Sequence, residues 1–216
     1  MDSSVTGVGV LDKAISILDA VEHGPCSLPD LIAATGLPRA TAHRLALALT
    51  THGLLGRDGD GRFVLGPRFT AARVADAARP ALEALRDATG ESVQLYVRRG
   101  ARRLCVVSLD SPNELRTSVP VGALLPLDRG SAGAVLRGVP EVLRRGWAES
   151  VAERAPGVAS VSAPVHAGGA PVAAVCLSGP IERVTASPGA RFAAAVVTAA
   201  RRIERAAAPS AALSNS

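Results

Sequence analysis

Apolar residues recur at Leu11, Ala14, Ile15, Leu18 and Val21, the spacing of one buried helix face. Gly24-Pro25 closes that helix. A second apolar set, Leu28, Leu31 and Ile32, follows Ser27, which pairs with Asp30 three positions on in a capping-box pattern. Gly36 is placed to end this helix in a left-handed conformation, and Pro38 suits the first turn of the next. That third helix, Pro38 to His52, gathers Ala42, Leu45, Ala46 and Leu49 on one face and Ala40, His43, Arg44 and Leu47 on the other. Next come Gly53-Leu-Leu-Gly56, Arg57-Asp-Gly-Asp-Gly-Arg62 and Phe63-Val-Leu-Gly66. Short apolar segments around a Gly/Asp turn read as a β-hairpin with an arginine on each flank. Three helices followed by such a hairpin is the order of a winged helix-turn-helix.

Pro67 to Thr89 again has helical periodicity, with a break expected before Pro80, so that Phe69 to Arg79 forms a linker helix. The period then changes. Val93 to Val97, Leu104 to Leu109 and Glu114 to Val119 read as strands. Gly130-Ser-Ala-Gly133 opens a short helix to about Arg137, and Pro140 to Ala152 reads as helical or irregular. Ala159 to Val165 and Val172 to Leu177 read as strands joined across Gly168-Gly169. Gly189 to Ala207 reads as a closing helix with Phe192, Val196, Val197 and Ile203 inward. The expectation is an α+β chain with an antiparallel sheet. Its parts are a winged helix-turn-helix over 1–67, a linker helix over 68–79, a second domain over 80–207 and a disordered tail over 208–216.

Composition narrows the function. Of the 216 residues 48% are hydrophobic and 20% charged, enough for a buried core. Aromatics make up 2%, which argues against recognising bases by stacking. The formal charge is +5, yet residues 1–69 carry six basic side chains against seven acidic ones, so the excess lies in the remainder. A DNA-binding role for the N-terminal part therefore rests on where its arginines sit. Cys26, Cys105 and Cys176 have no metal-type spacing and read as reduced thiols, with no metal or cofactor expected. Met1-Asp-Ser-Ser lacks the basic and apolar regions of a signal peptide, and Phe192 to Ala200 is far short of a membrane span. A cytoplasmic location with no membrane contact follows.

The candidate chemistry is recognition. His43 and Arg44 are placed to face a major groove, where arginine can donate two hydrogen bonds to guanine. Arg39, Thr41, Arg57 and Arg62 are candidates for phosphate contacts, and Ala40 permits close approach. Catalysis finds little support. Gly130-Ser-Ala-Gly133 is not a Gly-x-Ser-x-Gly elbow, although Ser131 and Cys176 are conceivable nucleophiles. His166 is the only histidine of the C-terminal part, and Gly7-Val-Gly9 follows no strand. No enzyme is expected.

Several stretches carry a family resemblance. They are Val8-Gly-Val-Leu-Asp-Lys-Ala14, Thr35-Gly-Leu-Pro-Arg-Ala-Thr-Ala-His-Arg-Leu45, Gly61-Arg-Phe-Val-Leu-Gly66, Arg144-Arg-Gly-Trp147, Pro156-Gly-Val158, Val161-Ser-Ala-Pro-Val165 and Leu177-Ser-Gly-Pro180. Together they resemble the IclR family of bacterial transcription regulators over nearly the whole chain. The nearest likeness is to an actinobacterial subgroup associated with amino-acid metabolism, leucine biosynthesis included. The resemblance implies a GAF-like C-terminal domain that binds a small-molecule effector, and homodimers or tetramers, often repressors, on a palindromic double-stranded operator. Carried over residue by residue, it implies effector contacts at Ser131, Ala132, Ser150, Ser160, Cys176 and Ser178. The alternative left open is a dimeric DNA-binding regulator without an effector. Four features depart from the family pattern. The linker is short, as is the stretch between Leu136 and Arg144. Pro38 stands where many relatives carry a Ser or Thr cap, and Ser150 where many carry an Asp.

Overall fold

Ser27 begins its helix as the local pattern requires. Its hydroxyl accepts from the Asp30 backbone N–H while the Asp30 carboxylate accepts from the Ser27 N–H at 2.8 Å. This computed structural model describes residues 6–167 and 170–208. The Met1-Asp-Ser-Ser start, the Gly168-Gly169 turn and the tail from Pro209 onward lie outside the described residues. The chain divides into two compact units, Met1–Thr70 and Ala71–Ser216.

In the first unit, α1 (Gly9–Glu22), α2 (Leu28–Thr35) and α3 (Arg39–Thr51) precede a hairpin of β1 (Leu55–Arg57) and β2 (Phe63–Leu65). Gly36 ends α2 at φ 67°. Pro38 is the N-cap of α3 rather than a member of its first turn, and it supplies no side-chain cap. Ile17, Leu18, Val21, Leu31, Leu37, Ala42, Ala46, Leu49, Leu55 and Phe63 form one core. Burying these side chains is the main stabilising term for such small elements. The hairpin is stitched to the helices by paired backbone bonds between Cys26 and Phe63, 2.9 and 2.7 Å. Gly66 closes its base. A Cβ there would lie 2.3 Å from the Gly53 carbonyl oxygen, so no larger residue fits without moving backbone.

Helix α4 (Pro67–Thr89) runs unbroken through Pro80, against the expected break. Pro80 removes one helical hydrogen bond, but it is exposed, as is Asp76, whose carbonyl loses the donor. Val74, Ala78, Ala81, Leu82 and Leu85 keep one continuous buried stripe along the helix.

The second unit continues with β3 (Ser92–Arg99), β4 (Arg102–Leu109), β5 (Leu124–Pro126), α5 (Ser131–Leu136), α6 (Pro140–Arg145), β6 (Ala148–Val151), β7 (Val158–Ala167), β8 (Ala170–Pro180), α7 (Ile181–Val184) and α8 (Pro188–Ala207). Its six strands form an antiparallel sheet in the order β5-β4-β3-β8-β7-β6. The expected strand over Glu114 to Val119 is absent. There Arg116 bonds to Asp110 and to the Asn113 and Glu114 carbonyls, and Ser118 to Asp110, so side chains hold an irregular segment. Strand β6, read from sequence as helical or irregular, pairs along the edge of β7.

Period-two alternation gives the sheet two unlike faces. Val93, Leu95 and Val97 of β3, Ala159, Val161, Ala163 and Val165 of β7, and Ala173, Val175 and Leu177 of β8 pack with α4 and α8. The intervening positions include Tyr96, Ser160, Ser162, Ala174, Cys176 and Ser178. Tyr96, Ala174 and Cys176 pack with α5 in a second, smaller cluster. This mixed polar and apolar face is where the candidate ligand site forms.

Candidate functional sites

On α3, burial follows the helical pattern. Ala42, Ala46 and Leu49 are buried, Thr41 is half-buried, and Arg39, Ala40, His43 and Arg44 are exposed. Arg39, Ala40 and His43 line an open depression with Leu28 of α2. Arg44 is exposed one position further along. Among the described residues, Arg39, His43 and Arg44 make no side-chain hydrogen bond or ion pair. All three can therefore bind an outside partner without breaking an existing contact.

The hairpin arginines are differently placed. Arg57 donates to the Gly61 carbonyl, and its guanidinium lies 4.1 Å from the Phe63 ring centroid. Arg62 is held by Asp58 at 2.9 Å and Asp60 at 3.1 Å. Both were expected to reach phosphates. In this form both are spent on holding the hairpin tip together.

In the second unit, register brings the candidate effector residues together. Ser150 of β6 is opposite Ser160 of β7, which is opposite Ser178 of β8. Ser162 is opposite Cys176, one step along the same face. Ser131, at the start of α5, bonds both Ser160 and Ser162 through their hydroxyls at 2.8 Å. Ser178 donates to Gln94 at 3.0 Å. All six predicted residues, Ser131, Ala132, Ser150, Ser160, Cys176 and Ser178, line a single cavity. As it stands the cavity is tight, ≈ 10 Å³, about the room of one water.

Sequence reasoning missed Tyr96, Arg103, Gly130, Arg154 and Val158, which complete the lining. Arg103 is the notable omission, at 3% exposure. Its Nη1 donates to the carbonyls of Pro126, at 2.6 Å, and Arg129, and its guanidinium lies 5.4 Å from the Tyr96 ring centroid. Its buried Nε has no hydrogen-bond partner, and no carboxylate pairs with it among the described residues. Burial lowers its pKa, and repulsion from Arg154 and Arg137 works in the same direction.

The glycines of Gly130-Ser-Ala-Gly133 make room for this side chain. A Cβ on Gly133 would lie 2.3 Å from the Leu127 carbonyl oxygen and 2.8 Å from Arg103 Nη1. Gly130 has φ 77°, and a Cβ there would lie 3.3 Å from Arg103 Nη2. The motif is thus an arginine seat. Ser131 is committed to serine hydroxyls. Burial pushes the Cys176 thiol up, against hydrogen bonds from Ser162 and Ser131 and the charges of Arg103 and Arg154. Neither is poised as a nucleophile. Among the described residues, no group of three or more His, Cys, Asp or Glu could hold a metal, and no helix is long and apolar enough to cross a membrane.

Comparison with known families decides between a nucleic-acid reader and a bland helical surface. The IclR helix-turn-helix domain matches residues 10–59, and the bacterial transcriptional regulator IclR C-terminal domain matches 69–140 and 134–205. The chain belongs to the IclR family. The glycerol operon regulatory protein of Streptomyces coelicolor is 28% identical over 90% of this chain and 94% of that protein. An IclR-family protein from Rhodococcus sp. shares the fold at TM-score 0.60 and 27% identity, covering 92% of this chain and 93% of that one. An IclR homolog from Microbacterium hydrocarbonoxydans, solved complexed with 4-hydroxybenzoate, does so at TM-score 0.56 and 20% identity, covering 92% and 98%. This IclR-family chain is thus a DNA-binding transcriptional regulator, and the families it matches are regulators rather than enzymes.

Proposed function

We propose that this IclR-family regulator acts in the cytoplasm as a homodimer, or a pair of dimers, on a palindromic operator. Its effector is a small molecule of amino-acid or carboxylic-acid metabolism, bound in the cavity beside α5. The reading assigns 1–67 to DNA binding, 68–79 to a linker segment within α4 and 80–207 to effector binding and oligomerisation. Arg44 and His43 read base edges in the major groove. Arg39 and Thr41 contact phosphates, Ala40 lets the helix approach, and Arg57 and Arg62 are secondary phosphate contacts. The observation that carries the effector half is the convergence of six predicted residues, from α5, β6, β7 and β8, on one cavity. The DNA half is supported by the exposed, unengaged Arg39, His43 and Arg44.

The tightness of the cavity favours a second reading, in which the C-terminal unit only oligomerises. One experiment addresses both halves. Genomic fragments selected by the full-length protein define the operator, which should show two-fold symmetric half-sites about one helical turn or a multiple apart. Fluorescence titration on that operator is then repeated with Arg44→Ala, and with amino acids and small carboxylic acids added. Arg44→Ala should weaken binding by about 1–3 kcal/mol and relax base preference at one position per half-site. Unchanged affinity and preference would remove Arg44 as a reader. An operator affinity indifferent to every small molecule would favour the effector-less reading.

A further inference from the structure

Arg103 is buried in the second unit, and among the described residues no carboxylate pairs with it and its Nε has no hydrogen-bond partner. Isolated buried cations are costly, and folded proteins pair them. The two backbone carbonyls that Nη1 reaches solvate one edge of the guanidinium and leave its charge uncompensated. A second guanidinium, Arg154, lines the same cavity. It is half-buried, on the connection between β6 and β7, and makes no ion pair or hydrogen bond among the described residues. Among the described residues no acidic side chain lines the cavity. Glu153, next to Arg154, is engaged elsewhere: its carboxylate accepts from the Gly130 N–H at 2.9 Å. The cavity thus carries two positive charges, one on β4 and one on the β6–β7 connection, and is also lined by the serines Ser131, Ser150, Ser160 and Ser178.

We infer that the effector is a small dicarboxylate, one carboxylate meeting Arg103 of β4 and the other meeting Arg154 on the β6–β7 connection. The inference rests on the effector reading above and makes its ligand class specific. The two guanidiniums stand on different elements, β4 and the β6–β7 connection, so each can take one carboxylate of the same ligand. The serine row of Ser150, Ser160 and Ser178 meets polar atoms between the two acid groups. The space required exceeds the ≈ 10 Å³ present, so entry displaces the lining. Outside the sheet the lining comes from Gly130, Ser131 and Ala132 at the start of α5 and from Arg154 on the connection 152–157. Ligand binding therefore draws on the segment that Glu153 ties to the start of α5.

The test is calorimetry on the full-length protein with unbranched dicarboxylates of three to six carbons. Each is set against the monocarboxylate of equal length, and a wider set of amino acids, phosphate monoesters and neutral polyols is run alongside. At least one dicarboxylate should bind about tenfold or more tightly than its matched monoacid, the scale of one charge-assisted contact. Arg154→Gln should abolish most of that preference. Arg154 is half-buried and unbonded, so this variant should fold, and a thermal melt checks that it does. Equal binding of matched mono- and dicarboxylates overturns the inference. So does a preference that survives Arg154→Gln, or binding confined to a monoacid, a phosphate monoester or a neutral compound. Those outcomes leave the effector reading standing. Binding of nothing in the set would remove the effector reading itself, and this inference with it.

Discussion

The wing and the third helix of the N-terminal unit carry arginines of opposite standing. Arg62 is clamped by Asp58 and Asp60 and Arg57 is folded over Phe63, whereas Arg39 and Arg44 touch no acid among the described residues. The sheet unit repeats the contrast. Arg183 grips Glu91, a 3% exposed carboxylate, through two hydrogen bonds of 2.7 and 3.0 Å, while Arg103 is as buried as Glu91 and has no carboxylate among the described residues. A net charge cannot separate these cases. The first unit is near neutral only when its acids are set against all its arginines alike. Two of those acids neutralise the wing and leave the recognition helix free. The arginines divide into those that hold the fold and those still available to a ligand, and substitutions should sort them.

The largest effect on stability is expected at a paired arginine. Arg183→Ala leaves the Glu91 carboxylate buried without its partner. Breaking a fully buried pair costs about 3–5 kcal/mol, and Arg183 is one-third exposed, so about 2–3 kcal/mol is expected. Urea melts of the full chain measure it. A cost under about 0.5 kcal/mol, the ordinary surface range, would place Arg183 among the available arginines and spoil the division.

Arg62→Ala sharpens the same contrast at the wing. Arg62 is surface-exposed, so its loss should cost under about 1 kcal/mol of stability. Its effect on operator affinity should be well below that of Arg44→Ala, measured in parallel at one salt concentration. If the two variants weaken binding equally, Arg62 swings off its aspartates on DNA. The wing then ceases to differ from α3.

The legible parts of the molecule were those decided within a few residues. The Ser27–Asp30 box, the Gly36 stop, the α3 faces and the wing turn all lie in short windows, and the structure has them where the pattern placed them. The serine and cysteine positions came from a resemblance, and strand alternation explains why they meet. Three features were not legible, each because its cause is distant. The contacts that seat Arg103 come from Pro126 and Arg129, more than 20 positions away, with room provided by Gly130 and Gly133. Strand β6 is four residues, Ala-Glu-Ser-Val, and exists because the edge of β7 accepts it. Pro80 signals a break by local rules, and the buried stripe from Val74 to Leu85 overrides it.

Acid should loosen the paired arginines before the free ones, in a direction that can be worked out. The Asp30 carboxyl is held below its usual range by hydrogen bonds from Ser27, with the Arg62 charge adding to them. For Asp58, burial pushes upward, but hydrogen bonds from the Arg62 backbone and side chain outweigh it and the net shift is downward. A folded-state value below the unfolded one, about 3.9, means the contribution is fully present above that pH. It is lost as pH falls through the lower folded value. The hairpin tip and the start of α2 should therefore lose stability below about pH 4. Urea midpoints taken between pH 5 and pH 3 should fall for the parent chain and fall less steeply for Asp58→Asn, which has no charge to lose. Asp30 is exposed and Asp58 only partly covered at the surface, so the difference in slope is small and should shrink further in high salt. Identical slopes would mean that Arg62 gains nothing from Asp58. The wing arginine would then be as available to DNA as those of the recognition helix.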